Sequence, residues 1–218
     1  MILTIVQKIA IWAIPVLLAI TLHEAAHAWI ASRCGDTTAK ALGRLSINPV
    51  RHISLVGTLL VPLMIGILSH FQFIFGWAKP VPIHWNRLRR PRRDSALVAA
   101  AGPIANIIMT LLWAMCFKIA TMLHPEQSMT VLFLLLTAQA GIIVNLILAF
   151  LNLIPIPPLD GSRIIFSALP PRYAEHYMKL EPFGFFILLA LMLSGGLSAL
   201  LSPALSWSLD LIQRWFNV

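Results

Sequence analysis

Charge is scarce in this chain: only 11% of its 218 residues are Asp, Glu, Lys or Arg, and eight of those are acidic. A soluble domain uses about 25% charged residues to hold its surface in water, so this composition excludes an ordinary water-facing globule. Cysteine is nearly missing as well. Cys34 lies at the end of one apolar stretch and Cys116 inside another, with no CxxC spacing, so neither a disulfide framework nor a thiolate metal site has support. Both read as packing residues. Internal repeats and low-complexity linkers are absent too, and residues 1–218 read as a single domain.

What takes the place of charge is hydrocarbon: 59% of the residues are hydrophobic and the mean hydropathy is +0.84. Apolar stretches at 3–31, 53–71, 95–123, 131–153 and 183–201 approach or exceed the roughly 20 residues that a helix needs to cross the hydrocarbon of a bilayer. The expected fold is an all-α polytopic membrane protein, with the lipid bilayer as its solvent. The first stretch outruns a signal-peptide core and carries His23, Glu24 and His27, so it is expected to be retained. The net charge of +8 would suit nucleic acid, but the basic residues cluster between the apolar runs, as they do in cytoplasmic loops. The run RLRRPRR at 87–93 has neither aromatic interleaving nor a recognisable module, and no nucleic-acid partner is expected.

The first apolar run contains His23-Glu24-Ala25-Ala26-His27, which puts two imidazoles at i and i+4, one turn apart on one helix face. Ionisable side chains at membrane depth are costly unless paired, so two histidines and a glutamate within five residues of an apolar helix need a compensating interaction. Metal coordination supplies one. An open catalytic zinc site takes three protein ligands and a water, and Glu24 between the histidines is placed to accept that water's proton. With only eight acidic residues in the chain, Asp160 is the candidate third ligand. It closes the segment Asn152-Leu153-Ile154-Pro155-Ile156-Pro157-Pro158-Leu159-Asp160-Gly161, where prolines break a helix and Gly161 permits a tight turn. Broken backbone at membrane depth is tolerated only where protein or a water-filled cavity covers it. The competing reading makes Asp160 the N-cap of the next helix.

With these motifs in hand, the sequence resembles the site-2 protease family of intramembrane zinc metalloproteases, in its compact bacterial branch. The resemblance runs through HEAAH, GDTTAKALGRLSINPVRHI at 35–53, GTLLVP at 57–62, GWAKPVP at 76–82, AAGPIAN at 100–106 and NLIPIPPLDG at 152–161, in that order. It implies a three-helix catalytic core with additional membrane helices. It implies His23, His27 and Asp160 as ligands of one zinc ion, and Glu24 as the general base. Asn106 would help position the scissile region or its oxyanion, or would hydrogen-bond a neighbouring helix. The implied substrate is a single-span membrane protein already trimmed by another protease, as in regulated intramembrane proteolysis. At Arg51-His52-Ile53-Ser54-Leu55 the chain departs from the family, which usually has Asp-Pro where Ser54-Leu55 stand.

Asp160 can meet His23 only if the run 131–153 ends on the side where the first run exits. The segments 32–52 and 72–94 then share that side, and both are rich in Lys and Arg. By the positive-inside rule it is cytoplasmic, with the active site nearer that face of a bacterial cytoplasmic membrane. The run 53–71, broken by Gly57, Pro62 and Gly66, is then re-entrant. The pieces 43–48 and 76–83 read as short extended segments, either a small cytoplasmic β element that could hold an extended substrate or plain loops. Residues 203–218 are amphipathic with interfacial aromatics, lying flat or returning across. Polar Thr21, Asn106 and Asn152, with the prolines at 155–158, are candidates to line a water path, Asn152 also as a substrate-positioning residue. A metal transporter would string ligands along a pathway, whereas His52, His70, His84, His124 and His176 sit near span ends or in loops. The oligomeric state is not set by these features.

Overall fold

The structure is a computed structural model and describes residues 4–51, 54–60, 64, 67, 79–126 and 128–216. Those residues form helices and connecting loops, with no strand among them. Helix α1 (Ile5–Cys34) opens on a reciprocal cap, in which the Thr4 hydroxyl accepts from the Gln7 N–H while the Gln7 side chain accepts from the Thr4 N–H, satisfying two of the donors every helix start leaves free. It ends at Gly35, whose φ of 115° turns the chain left-handed so that its N–H reaches back to Ala31 O. A side chain is strained at that φ. A short α2 (Thr38–Ala41) follows, and then a π-helical turn at Leu55–Leu60, where Ser54 Oγ accepts from the Gly57 N–H.

Helix α3 (Pro91–Met122) begins with proline at its first position, where the missing N–H costs nothing, and Asp94 accepts from the Arg90 N–H. Helix α4 (Met129–Leu153) stops where the proline-rich segment begins. Then come α5 (Asp160–Ala168), α6 (Pro171–Met178), α7 (Glu181–Leu193) and α8 (Gly196–Phe216).

Three of these helices are long and apolar enough to cross a bilayer, over Val6–Cys34, Pro91–Met122 and Met129–Leu153. They match the runs 3–31, 95–123 and 131–153. They also pack against one another, α3 against α4 most extensively. The contacts are inside-out relative to a soluble core. Ala19, Ala28, Ala99, Ala114, Ala120, Ala138 and Ala149 are fully buried, while Ile104, Leu112, Met115 and Ile119 on α3 are each about half exposed. In lipid there is no gain in hiding leucine, and small residues let helix backbones approach closely. So broad an apolar exterior on the three spans marks an integral membrane protein.

Elsewhere the architecture departs from expectation. The run 183–201 is not one helix: it stops at Leu193, turns at Gly195 with φ of 75°, and restarts at Gly196. Helices α6 and α7 form a pair bent by 63°. Helix α8 lays Ile212, Leu205 and Leu209 against Ala114 of α3 and Ile142 and Leu146 of α4. No strand forms at 43–48 or 79–83, and the remainder of that candidate β element, 76–78, lies outside the described residues. Proline explains part of this, since Pro80 and Pro82 have no N–H to give a ladder. The re-entrant reading of 53–71 falls largely outside the described residues.

Candidate metal centre

Helices α1, α3 and α5 converge on one cluster. His23 and His27 sit one turn apart about two-thirds of the way along α1, both buried, with their Nε2 atoms 3.0 Å apart. Asp160, the first residue of α5, places Oδ2 at 3.2 Å from each Nε2. Among the described residues this is the one group of three His, Cys, Asp or Glu side chains close enough to share an ion. The N-cap of α5 is Leu159 and no side chain caps that helix, so the alternative role for Asp160 has no contact behind it.

The protons in this cluster follow from its hydrogen bonds. His27 Nδ1 lies 2.7 Å from Val98 O, a carbonyl that can only accept, so Nδ1 carries the hydrogen and Nε2 a lone pair. His23 is fixed by a longer chain. Asn145 Nδ2 donates to Gly141 O at 2.8 Å, leaving Asn145 Oδ1 to accept from Asn106 Nδ2 at 2.9 Å. Asn106 Nδ2 also reaches Ala19 O at 3.4 Å. Asn106 Oδ1 therefore faces His23 Nδ1, 2.5 Å away, and accepts its N–H. A backbone carbonyl of α4 thus dictates the tautomer of His23 through two fully buried amides.

The consequence is that three lone-pair atoms converge with no proton between them. Asp160 Oδ2 is buried without a hydrogen-bond partner although two imidazole nitrogens stand 3.2 Å away. A buried acceptor left so is costly, and a cation is the group that fits three converging acceptors.

The backbone makes room for the cluster. A Cβ on Gly102 of α3 would fall 2.4 Å from His27 Nε2 and 2.5 Å from His23 Nε2, so only glycine lets α3 lie against both rings. Asp160 is held from behind. Gly184 of α7 packs so closely on Pro157 that any Cβ there would collide with its carbonyl, and Tyr177 Oη donates to Pro155 O at 2.7 Å. On α5, Arg163 stacks on Trp85 at 4.7 Å and pairs with Glu181 at 3.5 Å.

Glu24 points from the same helix toward the 79–84 segment, where its Oε2 accepts from the Val81 N–H at 2.8 Å. Asp36 anchors the far end of that segment, accepting from His84 N–H at 2.7 Å and from the Thr38 N–H and hydroxyl. Burial pushes the Asp36 carboxyl up, and these hydrogen bonds outweigh it, holding the group below the usual carboxylate range.

The structure brings His23, His27 and Asp160 together, while Glu24, between the histidines on α1, has its described hydrogen bond to the Val81 N–H. Asn106 is in the site too, but both ends of its amide are engaged by His23 and Asn145. Asn152 donates to Leu148 O on its own helix, and its described contacts include neither histidine nor Asp160. Asn145, Gly102 and the Val81 N–H were not anticipated. Asn145 carried a legible signal, as a lone amide inside an apolar run; the close approach at Gly102 and the Val81 bond carried none.

Two buried histidines and a partly buried carboxylate, close enough to share an ion and set among helices long and apolar enough to cross a bilayer, define a class: integral membrane proteins with a candidate metal centre. The family model of peptidase family M50 matches residues 117–194, which include Asp160. The chain is 35% identical over 209 residues to "Putative zinc metalloprotease YwhC" of Bacillus subtilis, across 94% of this chain and 90% of that protein. It is 28% identical over 203 residues to "Putative zinc metalloprotease Rip2" of Mycolicibacterium smegmatis, across 92% and 71%. For the protein of the same name in Mycobacterium tuberculosis H37Rv it is 30% identical over 209 residues, across 94% and 74%. No solved structure matches the chain. The chain belongs to peptidase family M50, the site-2 protease family, and is a membrane metalloprotease by that membership.

Proposed function

We propose that residues 1–218 form a single intramembrane protease domain that hydrolyses peptide bonds within or near transmembrane segments of other membrane proteins. His23, His27 and Asp160 would hold one metal ion, and the names of the relatives support zinc as its identity. The observation that carries the reading is the convergence of His23 Nε2, His27 Nε2 and Asp160 Oδ2 at 3.0, 3.2 and 3.2 Å from one another. Tetrahedral zinc with bonds of about 2.0–2.1 Å needs ligand atoms about 3.4 Å apart, and the donor set, two neutral imidazoles and a carboxylate, is the kind found in open catalytic zinc sites.

A zinc ion there supplies Lewis acidity, polarising a peptide carbonyl and making a water acidic near neutral pH. The remaining work falls to the chain. Glu24 takes the proton of the attacking water on a carboxylate oxygen and returns it to the leaving amine. Asn106 and Val98 O hold the two rings so that their Nε2 lone pairs face inward. Helices α3 and α4 pack against α1 beside the two histidines, and low-dielectric surroundings strengthen the charge interactions inside the site. The basic residues Arg33, Lys40, Lys79, Arg87, Arg89, Arg90, Arg92 and Arg93 lie at the end of α1 and around the start of α3, which supports a cytoplasmic orientation for the site. The substrate class that suits such a site is a single-span membrane protein.

The test uses purified, detergent-solubilised protein, a panel of single-span membrane proteins, and bound-metal analysis. The Glu24→Gln variant should keep its zinc and lose cleavage by about 100-fold or more, as expected when a general base is removed. Cleavage at the wild-type rate in that variant would refute the assignment, and metal flux across vesicles without cleavage would point to transport.

A further inference from the structure

We infer that the 79–84 segment is a strap that aims the Glu24 carboxylate, and that it does so through a single backbone group, the N–H of Val81. The inference rests on Glu24 being the base.

Proline occupies positions 80 and 82. Proline has no N–H and a fixed φ, so Val81 carries the one backbone donor between Lys79 and Ile83. That donor goes to Glu24 Oε2 at 2.8 Å. The flanking prolines stiffen the backbone and remove every neighbouring N–H that could compete for the carboxylate.

The donor is held in place from both sides. The Val81 side chain is buried in a cluster with Ala28 and Ala39, with Leu45 and Ile83 packed against it. Ala28 lies four residues beyond Glu24 and so on the same face of α1, which means the valine docks just beside the residue its N–H contacts. At the other end, His84 N–H is tied to Asp36 at 2.7 Å. Asp36 is fully buried, and its own N–H bonds Ala31 O in the last turn of α1. Both ends of the strap are thus fastened to the helix that carries the two histidines and the glutamate.

A glutamate has three rotatable side-chain bonds, and a base that wanders from its proton is a poor one, since small misplacements cost orders of magnitude in rate. With Oε2 bonded to the strap, the carboxylate has one orientation and Oε1 remains for the proton. Val81 is a positioning residue: its N–H bonds Glu24, and it acts through that carboxylate.

The experiment replaces the Val81 amide by an ester in the full-length protein, by incorporating the α-hydroxy analogue of valine at position 81. This removes the N–H and keeps the side chain. Val81→Ala, which keeps the N–H and trims the packing, and Val81→Pro, which removes the N–H by another route, are measured beside it. Zinc content, kcat and KM are read on a cleaved single-span substrate. The ester and proline variants should lose kcat by about 10-fold to 100-fold, the scale of a hydrogen bond to a charged group, with KM and zinc content unchanged. Val81→Ala keeps the N–H but loosens the packing that holds it, so it should lose several-fold less kcat than the ester variant. If Val81→Pro fails to fold or to load zinc, the ester variant decides. Wild-type kcat in the ester variant overturns the inference, and so does an equal loss in Val81→Ala, which would assign the effect to packing. An inactive Glu24→Gln beside a fully active ester variant would remove the strap alone, whereas an active Glu24→Gln would remove the base assignment beneath it.

Discussion

Replacing Gly102 with alanine adds one methyl group at the tightest point of the site. The new Cβ would stand 2.4 Å from His27 Nε2 and 2.5 Å from His23 Nε2, where ordinary contact begins near 3.4 Å. Either the rings retreat by about 1 Å or α3 swings away from α1. Zinc sites hold their ligand distances within about 0.2 Å, so a shift of that size at two ligands together exceeds the loss from a single outer contact, about 10-fold to 100-fold. Zinc affinity should therefore fall by at least about 100-fold. The fold should survive, because overpacking costs about 1–3 kcal/mol and alanine in a helix interior recovers about 1 kcal/mol over glycine. The assay is chelator competition for zinc on the detergent-solubilised protein, with helix content followed by circular dichroism. Gly141→Ala is the comparison: its Cβ would meet the Trp113 ring at 2.4 Å on the α3–α4 interface, and because Gly141 O anchors Asn145 it should lose about 10-fold in zinc affinity, well short of Gly102→Ala. Wild-type zinc affinity in Gly102→Ala would refute the reasoning, and equal zinc loss in both variants would show that helix packing in general is responsible.

Two further outcomes follow from the hydrogen bonds. Asn145→Leu strips Asn106 Nδ2 of its 2.9 Å acceptor and frees the amide that fixes His23, so zinc affinity should drop by about 10-fold or more while His27, tied to Val98 O, keeps its orientation; chelator competition measures the first, and the histidine Nδ1–H signals in NMR the second. For Asp36, the folded carboxyl lies below its ordinary value of 3.8, so its ionised form stabilises the fold fully above that pH and the contribution disappears as pH falls through the lower folded value. The thermal stability advantage of wild type over Asp36→Asn should thus be constant from pH 7 to about 5 and shrink in acid below about 4, and an advantage that grows on acidification would contradict it.

Much of this molecule is legible in one dimension because lipid imposes simple rules on a chain. The three spans are all among the five stretches picked out by length and hydropathy, since a backbone in hydrocarbon must satisfy itself within a helix. The three residues of the cluster, and Glu24 between the histidines, follow from cost: ionisable groups at membrane depth need partners, and few were available to pair. The proline-rich turn before Asp160 could be read as broken backbone for the same reason. The break at Gly195 falls at a Gly-Gly pair inside the run 183–201, which hydropathy alone reads as one stretch.

Other features depend on which atoms end up adjacent, and sequence does not encode adjacency locally. That Asn106 spends its amide on His23 and Asn145 depends on three helices meeting at one depth. So does the need for glycine at 102, which arises from two imidazoles on another helix. The 79–83 piece joins no strand among the described residues, and the one backbone N–H between its two prolines, that of Val81, turns to Glu24 instead. By itself, the sequence determined the membrane setting, the spans and the residues able to bind a metal, because hydrophobicity and ionisation are properties of residues. Only the tertiary structure decided which nitrogen of each histidine faces inward, which helix must lack a side chain and what holds the glutamate, because those are properties of distances between helices.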